Sequence, residues 1–153
     1  MVTYVKGDLL KSDCDYICHQ VNCRGRMGSG IAKQIRNRHP EVYESYMELC
    51  SDDTLLPEDL LGSIDIVRVD DRYEVISIFG QLNYGYDGKR YTSYQAFRHA
   101  LELIYEWDLP GSKIGFPKYI GCGLGGGDWS IISALIEEIL GDRYDVYIYE
   151  LDQ

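Results

Sequence analysis

Two glycine-rich segments are the parts of this 153-residue chain whose residue types and spacing could do chemistry. They cover residues 22–31 (NCRGRMGSGI) and 120–128 (IGCGLGGGD), and each follows an apolar run and opens an amphipathic helical pattern. Glycine lets a ligand approach the main chain closely, and a helix N-terminus offers free N–H groups and a partial positive charge. Two such loops in one small domain predict a double backbone cradle for a phosphate-rich ligand.

Two ionisable residues beside these loops are candidates for catalysis. His19 interrupts an apolar strand pattern just before the first loop, and histidine can act as acid, base or nucleophile near neutral pH. The alternative for His19 is a buried side chain that is hydrogen-bonded to the backbone. Asp128 ends the second loop, where it could activate a water molecule or instead cap the helix that begins at Trp129.

Other motifs point away from several enzyme classes. Residues 121–126 match G-x-G-x-x-G, but one further strand follows them, which is too few for a Rossmann half-domain. Neither a P-loop nor a G-x-S-x-G elbow occurs.

The five cysteines form no C-x-x-C pair and indicate reduced thiols in a cytosolic protein. We expect no metal site at Cys18, His19 and Cys23, because residues 18 and 19 would face opposite sides of a strand.

The composition indicates one globular domain over residues 1–153, with 45% hydrophobic and 26% charged residues. The net charge of −10 argues against a dedicated nucleic-acid binder, although backbone amides can still bind a small anion. The first residues lack a signal-peptide pattern, and no apolar run approaches the length of a membrane span. We therefore expect a cytoplasmic monomer that has no membrane partner.

The elements that must position the two loops alternate between strands and helices. Apolar runs predict strands at residues 2–5, 16–21, 63–69, 73–79, 113–116 and 144–151, and helical spacing predicts helices at 28–38, 41–49, 92–107 and 128–140. Residues 51–61 and 80–90 are predicted as loops. In the second loop, Tyr84, Tyr86, Lys89 and Arg90 could close over a ligand or be merely solvated. This order predicts a three-layer α/β/α fold with a central mixed, mostly parallel sheet, whose ligands bind at the carboxyl ends of the strands.

The two ends of the chain resemble a known family. The stretches YVKGDLL (4–10), HQVN (19–22) and MGSGIA (27–32) resemble the opening of a macrodomain, and residues 117–123 resemble that family's second phosphate loop. The resemblance runs over nearly the whole chain and is loose between residues 51 and 90. Within the family, the chain is similar to the branch of ADP-ribose 1″-phosphate phosphatases and terminal ADP-ribose glycohydrolases.

The resemblance implies that the chain binds ADP-ribose and hydrolyses ADP-ribose derivatives without a cofactor. ADP-ribose 1″-phosphate is the first expected substrate. An ADP-ribosyl glycohydrolase that acts on ADP-ribosylated protein or nucleic acid stays open, as does a non-catalytic ADP-ribose-binding module. The covalent lysine mechanism of the terminal glycohydrolases is disfavoured, because no lysine occurs near Gly80 and Gln81.

The resemblance also implies residue roles. Asp8 and Leu9 would meet the adenine, although Asp8 could equally cap a turn, and Asn22 would bond to the distal ribose unless it serves as a turn-forming residue. His19 and Asp128 would flank that ribose as nucleophile or acid and as water-activating base. The backbone of the two loops would wrap the ribose and the diphosphate through nine residues, namely Gly28, Ser29, Gly30, Ile31, Gly121, Cys122, Gly123, Leu124 and Gly125.

Overall fold

The computed structural model of the chain describes residues 1–28, 30–107 and 112–151. Six strands form a single sheet in the spatial order β1-β6-β5-β2-β4-β3. All neighbouring strands are parallel except β3 and β4, which form an antiparallel edge hairpin. The strands are β1 (Val2–Lys6), β2 (Tyr16–Asn22), β3 (Ile64–Val69), β4 (Tyr73–Gln81), β5 (Lys113–Pro117) and β6 (Asp145–Glu150). The sheet is thus mixed and mostly parallel, as the sequence predicts.

Helices cover both faces of this sheet. They are α1 (Gly30–Arg38), α2 (Pro40–Cys50), α3 (Pro57–Leu60), α4 (Tyr94–Glu106) and α5 (Trp129–Leu140). On one face Phe97 of α4 and Ile136 of α5 are buried in a core with Ile76 and Ile114 of the strands. On the other face α1, α2 and α3 bury apolar side chains against alternate residues of β2 and β4. The three-layer α/β/α fold is confirmed.

Two short helical segments depart from the predicted boundaries. Residues 51–61, expected as a loop, contain α3, where Pro57 starts the helix and the Asp59 carboxylate accepts a hydrogen bond from the Leu56 N–H at 2.7 Å. Leu60 anchors that turn in the core. A 3₁₀ turn at Leu9–Lys11 also follows β1. Short turns of this kind lack the repeated apolar spacing by which longer helices are predicted.

The direction of the strands places both glycine loops on one edge of the molecule. The first loop follows the carboxyl end of β2, and the second follows the carboxyl end of β5, the parallel neighbour of β2. The residue pairs between β2 and β5 end at Ile17 and Gly115, although both strands continue beyond that point. The chain after β2 covers one face of the sheet, and the chain after β5 covers the other, so this is a crevice of the kind where open α/β sheets bind ligands.

The described helices are all too short or too polar to cross a lipid bilayer.

Candidate functional site

A cleft of about 800 Å³ lies between the two glycine loops at the carboxyl edge of the sheet. A second compartment of about 530 Å³ adjoins it, and four residues line both, namely Ile31, Pro117, Lys118 and Tyr119. The second compartment is also lined by Gly7 and Leu9 after β1 and by Tyr149 of β6. With Gln81 of β4 also in the lining of the larger compartment, the whole depression runs along the ends of five neighbouring strands.

Most of the residues expected to bind ligand lie in the wall of the larger compartment. They are Asn22, Gly28, Gly30 and Ile31 from the first loop, and Gly121, Gly123, Leu124 and Gly125 from the second. Leu9 lines the smaller compartment. Ser29 lies outside the described residues. Cys122 does not line the cleft, because it packs against the core of the α4 and α5 face, and burial raises the pKa of its thiol to about 11.

Asn22 holds the first loop in shape. Its Oδ1 accepts hydrogen bonds from the Arg24 N–H at 2.9 Å and from the Tyr46 hydroxyl at 2.9 Å. Its Nδ2 donates to the Arg26 carbonyl at 2.7 Å, and the side chain is buried. An amide that bonds to its own following backbone defines a tight Asx-type turn. Asn22 thus has the turn-forming role, with part of its surface at the cleft wall.

A polar network under the sheet edge holds the second loop. The Thr92 hydroxyl donates to the Gly121 carbonyl at 2.6 Å, while the Tyr91 and Thr92 N–H groups donate to the Gly125 carbonyl at 2.7 and 2.9 Å. Gln20 donates through Nε2 to Thr92 Oγ1 at 2.9 Å and to Gln81 Oε1 at 2.8 Å. The residues before α4 therefore hold the loop after β5 from behind, although the two segments are distant in sequence.

The glycines of the two loops differ in what surrounds them. A Cβ added at Gly28 or Gly123 would meet no atom within 4 Å, so a side chain there would enter the cleft. A Cβ at Gly125 would lie 2.6 Å from Thr92 Oγ1 and 2.7 Å from the Gly121 carbonyl oxygen. Gly125 is therefore required by packing, whereas Gly28 and Gly123 keep the cleft open.

Comparisons with known proteins identify the family of this architecture. The ADP-ribose 1″-phosphate phosphatase of Candida glabrata is 31% identical over 129 residues, which cover 78% of this chain and 70% of that protein. The macrodomain of Mycobacterium tuberculosis DarG superimposes with a TM-score of 0.78 at 25% identity and covers 97% of both chains. This chain belongs to the macrodomain family. No protein-family model matches it.

Other relatives of this macrodomain match over shorter stretches. The DNA ADP-ribosyl glycohydrolase of Mycobacterium tuberculosis is 46% identical over 50 residues, which are 33% of this chain and 14% of that protein. The aligned parts of four further yeast ADP-ribose 1″-phosphate phosphatases span 29% to 42% of those proteins. Much of each of these relatives thus lies outside the region that this chain matches.

His19 lies inside the core of this macrodomain and not in the cleft. It is 0% exposed, on the β2 face that also carries Ile17 and Val21, and its Nε2 is 2.8 Å from the hydroxyl of Ser77 on β4. Burial alone lowers the pKa of His19 to about 4, so the ring is neutral at pH 7. Alternation along the strand explains this position, because Gln20, and not His19, faces the second loop.

The carboxylates of Asp128 and Asp8 act as caps. Asp128 Oδ1 accepts from the Ser130 N–H at 2.9 Å and the Ser130 hydroxyl at 2.7 Å, which caps α5 and lowers the pKa of Asp128. Asp8 Oδ1 accepts from the Leu10 N–H at 3.0 Å and caps the 3₁₀ turn. Neither carboxylate lines the larger compartment, and Asp8 does not line the smaller one. Because His19 is buried in the core and Asp128 caps α5 outside the lining, the structure does not bring the two together in the cleft.

Several residues in the cleft wall or behind it were not predicted as site residues. Gln20 and Thr92 support the second loop, and Arg26, Lys118 and Tyr119 border the cleft. Gln20 could have been found from strand alternation, because it follows His19 and must face the opposite side of the sheet. Thr92 gives no such signal, since its role depends on the spatial meeting of two loops.

The loop at residues 80–90 has a mixed outcome. Tyr84 and Tyr86 line the cleft as suggested, and the Arg26 guanidinium lies 5.4 Å from the centroid of the Tyr84 ring. Lys89 instead pairs with Asp87 at 3.9 Å, and Arg90 lies 4.5 Å from the centroid of the Tyr94 ring. The aromatic part of this loop thus belongs to the cleft, while its cations are engaged by neighbouring side chains.

We predict that Thr92→Val weakens ADP-ribose binding. Valine has the shape of threonine but cannot donate to the Gly121 carbonyl or accept from Gln20, and leaving such buried groups unpaired costs about 1–3 kcal/mol. Isothermal titration calorimetry with ADP-ribose should show weaker binding, and urea unfolding should show lower stability. Thr92→Ser keeps the hydroxyl and is the matched control. Unchanged affinity in the valine variant would show that the second loop does not need this support.

We predict that Gly28→Val leaves the fold intact and abolishes ADP-ribose binding, because the added side chain meets no protein atom and occupies the cleft. Circular dichroism and the melting temperature check folding, and a thermal-shift titration with ADP-ribose checks binding. Gly125→Ala is the contrasting variant and should lose stability through its backbone contact. A folded Gly28→Val protein with normal affinity would exclude the first loop from the binding site.

We predict that His19 contributes to the pH dependence of stability and not to catalysis. Its pKa in the folded state, about 4, lies below the ordinary 6.5, so the unfolded chain takes up the proton first. The contribution of His19 to the free energy of unfolding is therefore fully present above pH 6.5. It falls by roughly 3 kcal/mol as the pH drops towards 4, because the unfolded chain binds the proton and the folded chain does not.

The test is urea unfolding at pH 7.5 and pH 5 for the wild type and for His19→Gln, whose amide can still bond to Ser77. The wild type should lose more stability than the variant between the two pH values. His39, whose pKa burial also lowers, is present in both proteins and cancels in the comparison. An equal loss in both proteins, or loss of hydrolysis in a folded His19→Gln variant, would contradict the core role.

Proposed function

We propose that this macrodomain binds ADP-ribose derivatives in the cleft and hydrolyses them, with ADP-ribose 1″-phosphate as its substrate. The observation that carries this proposal is the chemistry of the wall. The larger compartment is bordered by Arg26, Arg36, Lys118 and two glycine loops, and among its described lining residues there is no carboxylate and no histidine. Such a wall suits a ligand with several phosphate charges.

The two compartments match the two ends of ADP-ribose in size and chemistry. The smaller compartment has apolar and aromatic walls at Leu9, Ile31 and Tyr149 together with polar groups of Gln34 and Glu150, and this mixture suits adenine. Asp8 does not itself line that wall, but it lies between Gly7 and Leu9, which do, and its Oδ1 caps the turn; we infer that its Oδ2 accepts from the adenine amino group. The larger compartment then takes the diphosphate and the distal ribose between the glycine loops.

The same wall favours phosphate removal over glycosidic cleavage. Enzymatic phosphoryl transfer depends mainly on positioning and on stabilising charge over the phosphate oxygens, which N–H groups and arginines supply. Glycoside hydrolysis ordinarily uses a pair of carboxyl groups that flank the scissile bond. The described wall of this cleft offers the first set of groups and lacks the second. The Candida glabrata phosphatase, matched over 129 residues, supports the same assignment.

In this proposal the chain orients the reaction and supplies charge. A water oxygen bonds to the terminal phosphorus, the bond from phosphorus to the 1″ oxygen breaks, and that oxygen takes up a proton, which leaves ADP-ribose and inorganic phosphate. The loops hold the diphosphate, and Arg26, exposed at the rim of the first loop, stabilises the terminal phosphate. His19 and Asp128 keep their structural roles, and proton transfer runs through the substrate's own phosphate oxygens.

A second candidate function is a reader that binds ADP-ribose without turnover. The observation that favours it is the same lack of a carboxylate or histidine among the described lining residues, since general acid–base catalysis usually employs one of them. The two functions share the ligand and differ in turnover, so a single assay separates them.

The prediction is release of inorganic phosphate from ADP-ribose 1″-phosphate by the wild type, and a loss of about 10²-fold in kcat/KM in Arg26→Gln, the scale of one charged group at a transition state. Arg38→Gln makes the same charge change on an exposed residue that does not line the cleft, and it should keep the wild-type rate.

Parallel reactions with ADP-ribosylated protein and ADP-ribosylated DNA test the glycohydrolase alternative. Release of ADP-ribose from either, without phosphate release from the phosphorylated ligand, would overturn the phosphatase assignment. Tight ADP-ribose binding with no turnover of any of the three substrates would establish the reader.

A further inference from the structure

Tyr119 adopts a backbone conformation that an aromatic residue rarely takes. Its φ angle is 69°, and the one other non-glycine residue with positive φ in the described chain is Asp70, in a hairpin turn. Positive φ brings Cβ into conflict with the backbone, which makes a bulky residue there a strained outlier. Hydrogen bonds from the Ile120 N–H to the Pro117 carbonyl at 3.1 Å and from the Cys122 N–H to the Tyr119 carbonyl at 2.8 Å hold the turn.

The Tyr119 side chain lies where the two compartments meet. It lines both of them, and its exposed fraction is 50%, so its ring is available to a ligand. The Trp129 ring contacts it edge to face at 5.7 Å between centroids. The Lys118 Nζ lies 5.0 Å from the centroid of the Tyr119 ring and 3.6 Å from a Glu150 carboxylate oxygen.

Lys118 brings a fixed positive charge to the same junction. Its hydrogen bond to the Tyr119 side chain and then the Glu150 carboxylate raise the pKa of the Lys118 ammonium, so it stays charged throughout the neutral range. A ligand that fills both compartments must pass this ammonium and this ring. The chemical groups that such a ligand carries between a base and a sugar are phosphates.

We propose that Tyr119, with Lys118 beside it, is a specificity-determining residue that selects ligands whose diphosphate crosses the junction. The proposal rests on the proposed binding of ADP-ribose derivatives and names a contact within that site. The Tyr119 ring packs against the ligand between its base and its distal sugar, and the strained backbone holds the ring there. Because the ring lies where the compartments meet, a ligand that fills one compartment alone reaches the edge of this contact and gains less from it.

The packing of Tyr119 argues that the strain serves a ligand and not the fold. Glycine would adopt the same φ without conflict, as it does at Gly121 with φ 75°. The Tyr119 ring is half exposed and contributes little to the buried core, where Ile120, its neighbour, is almost fully buried. A residue that costs backbone strain and adds little burial is a candidate for a functional contact.

Three substitutions separate the ring from the strain. Tyr119→Phe keeps both, Tyr119→Ala keeps the strain without the ring, and Tyr119→Gly removes both. Tyr105→Ala, which removes a comparably exposed tyrosine from α4 outside both compartments, is the control. Isothermal titration calorimetry measures affinity for ADP-ribose, AMP and ribose 5-phosphate, and differential scanning calorimetry measures the melting temperature of the free proteins.

ADP-ribose affinity should depend on whether the aromatic ring at residue 119 is present. The melting temperature should depend on whether residue 119 is strained at positive φ. ADP-ribose affinity should fall roughly tenfold in the alanine and glycine variants, the scale of one aromatic contact, and change by less than about threefold in the phenylalanine variant. AMP and ribose 5-phosphate should change by less than about threefold throughout. The glycine variant should melt above the alanine variant and no lower than the wild type.

Wild-type ADP-ribose affinity in Tyr119→Ala, with the wild type itself binding ADP-ribose, would overturn the role of Tyr119 and leave the proposed function standing. An equal loss for ADP-ribose and AMP would overturn the selection for a crossing diphosphate. A wild type that does not bind ADP-ribose would overturn both proposals.

Discussion

The early end of the pairing between β2 and β5 is the constraint on which the rest of this site depends. The two strands are parallel neighbours, yet their register pairs stop at Ile17 and Gly115. The pairing of β2 with β4, by contrast, continues to Asn22 and Gln81. The carboxyl half of β2 therefore has a partner on one side only, and the space on its other side forms the floor of the cleft.

Gln20 occupies that floor because of this geometry. A buried amide is costly unless it is hydrogen-bonded, and the Gln20 Oε1 is buried without a hydrogen-bond partner among the described residues. Here its Nε2 spans Gln81 and Thr92, and Thr92 in turn holds the Gly121 carbonyl. The opening between the strands thus removes ladder hydrogen bonds and replaces them with a side-chain network that shapes a loop. A network of this kind fixes one loop conformation because each member depends on the next.

The fold could be predicted further from the sequence than the site could. Apolar spacing predicts the strands and the long helices. Apolar residues such as Phe97 and Ile136 recur with their neighbours at helical spacing, and the helix that this predicts buries them against the sheet. The glycine spacing likewise indicates which backbone segments line the cleft. His19 was harder to interpret, because its chemistry is the same in a core and in an active site.

Whether His19 lies in the core or in the cleft depends on the face of β2 to which its side chain points. Because side chains alternate along a strand, His19 shares the face of Ile17 and lies beside Ser77. Thr92 and Tyr119 could not be predicted as site residues for a different reason. Thr92 acts through a carbonyl 29 residues away, and Tyr119 owes its place to a φ angle of 69°. Both depend on how loops are arranged in space, and a local sequence pattern does not predict contacts between distant loops.

The charge of the chain and the charge of its cleft are separate properties. The chain carries a net charge of −10, and an acidic surface slows the approach of anions at low salt. Backbone N–H groups, however, carry partial positive charge whatever the net charge is, and they act at hydrogen-bond range, where the field of distant carboxylates is screened. Arg26 and Lys118 border the cleft, with no carboxylate among its described lining residues. The net negative charge of the chain and a cleft wall suited to an anion are therefore compatible.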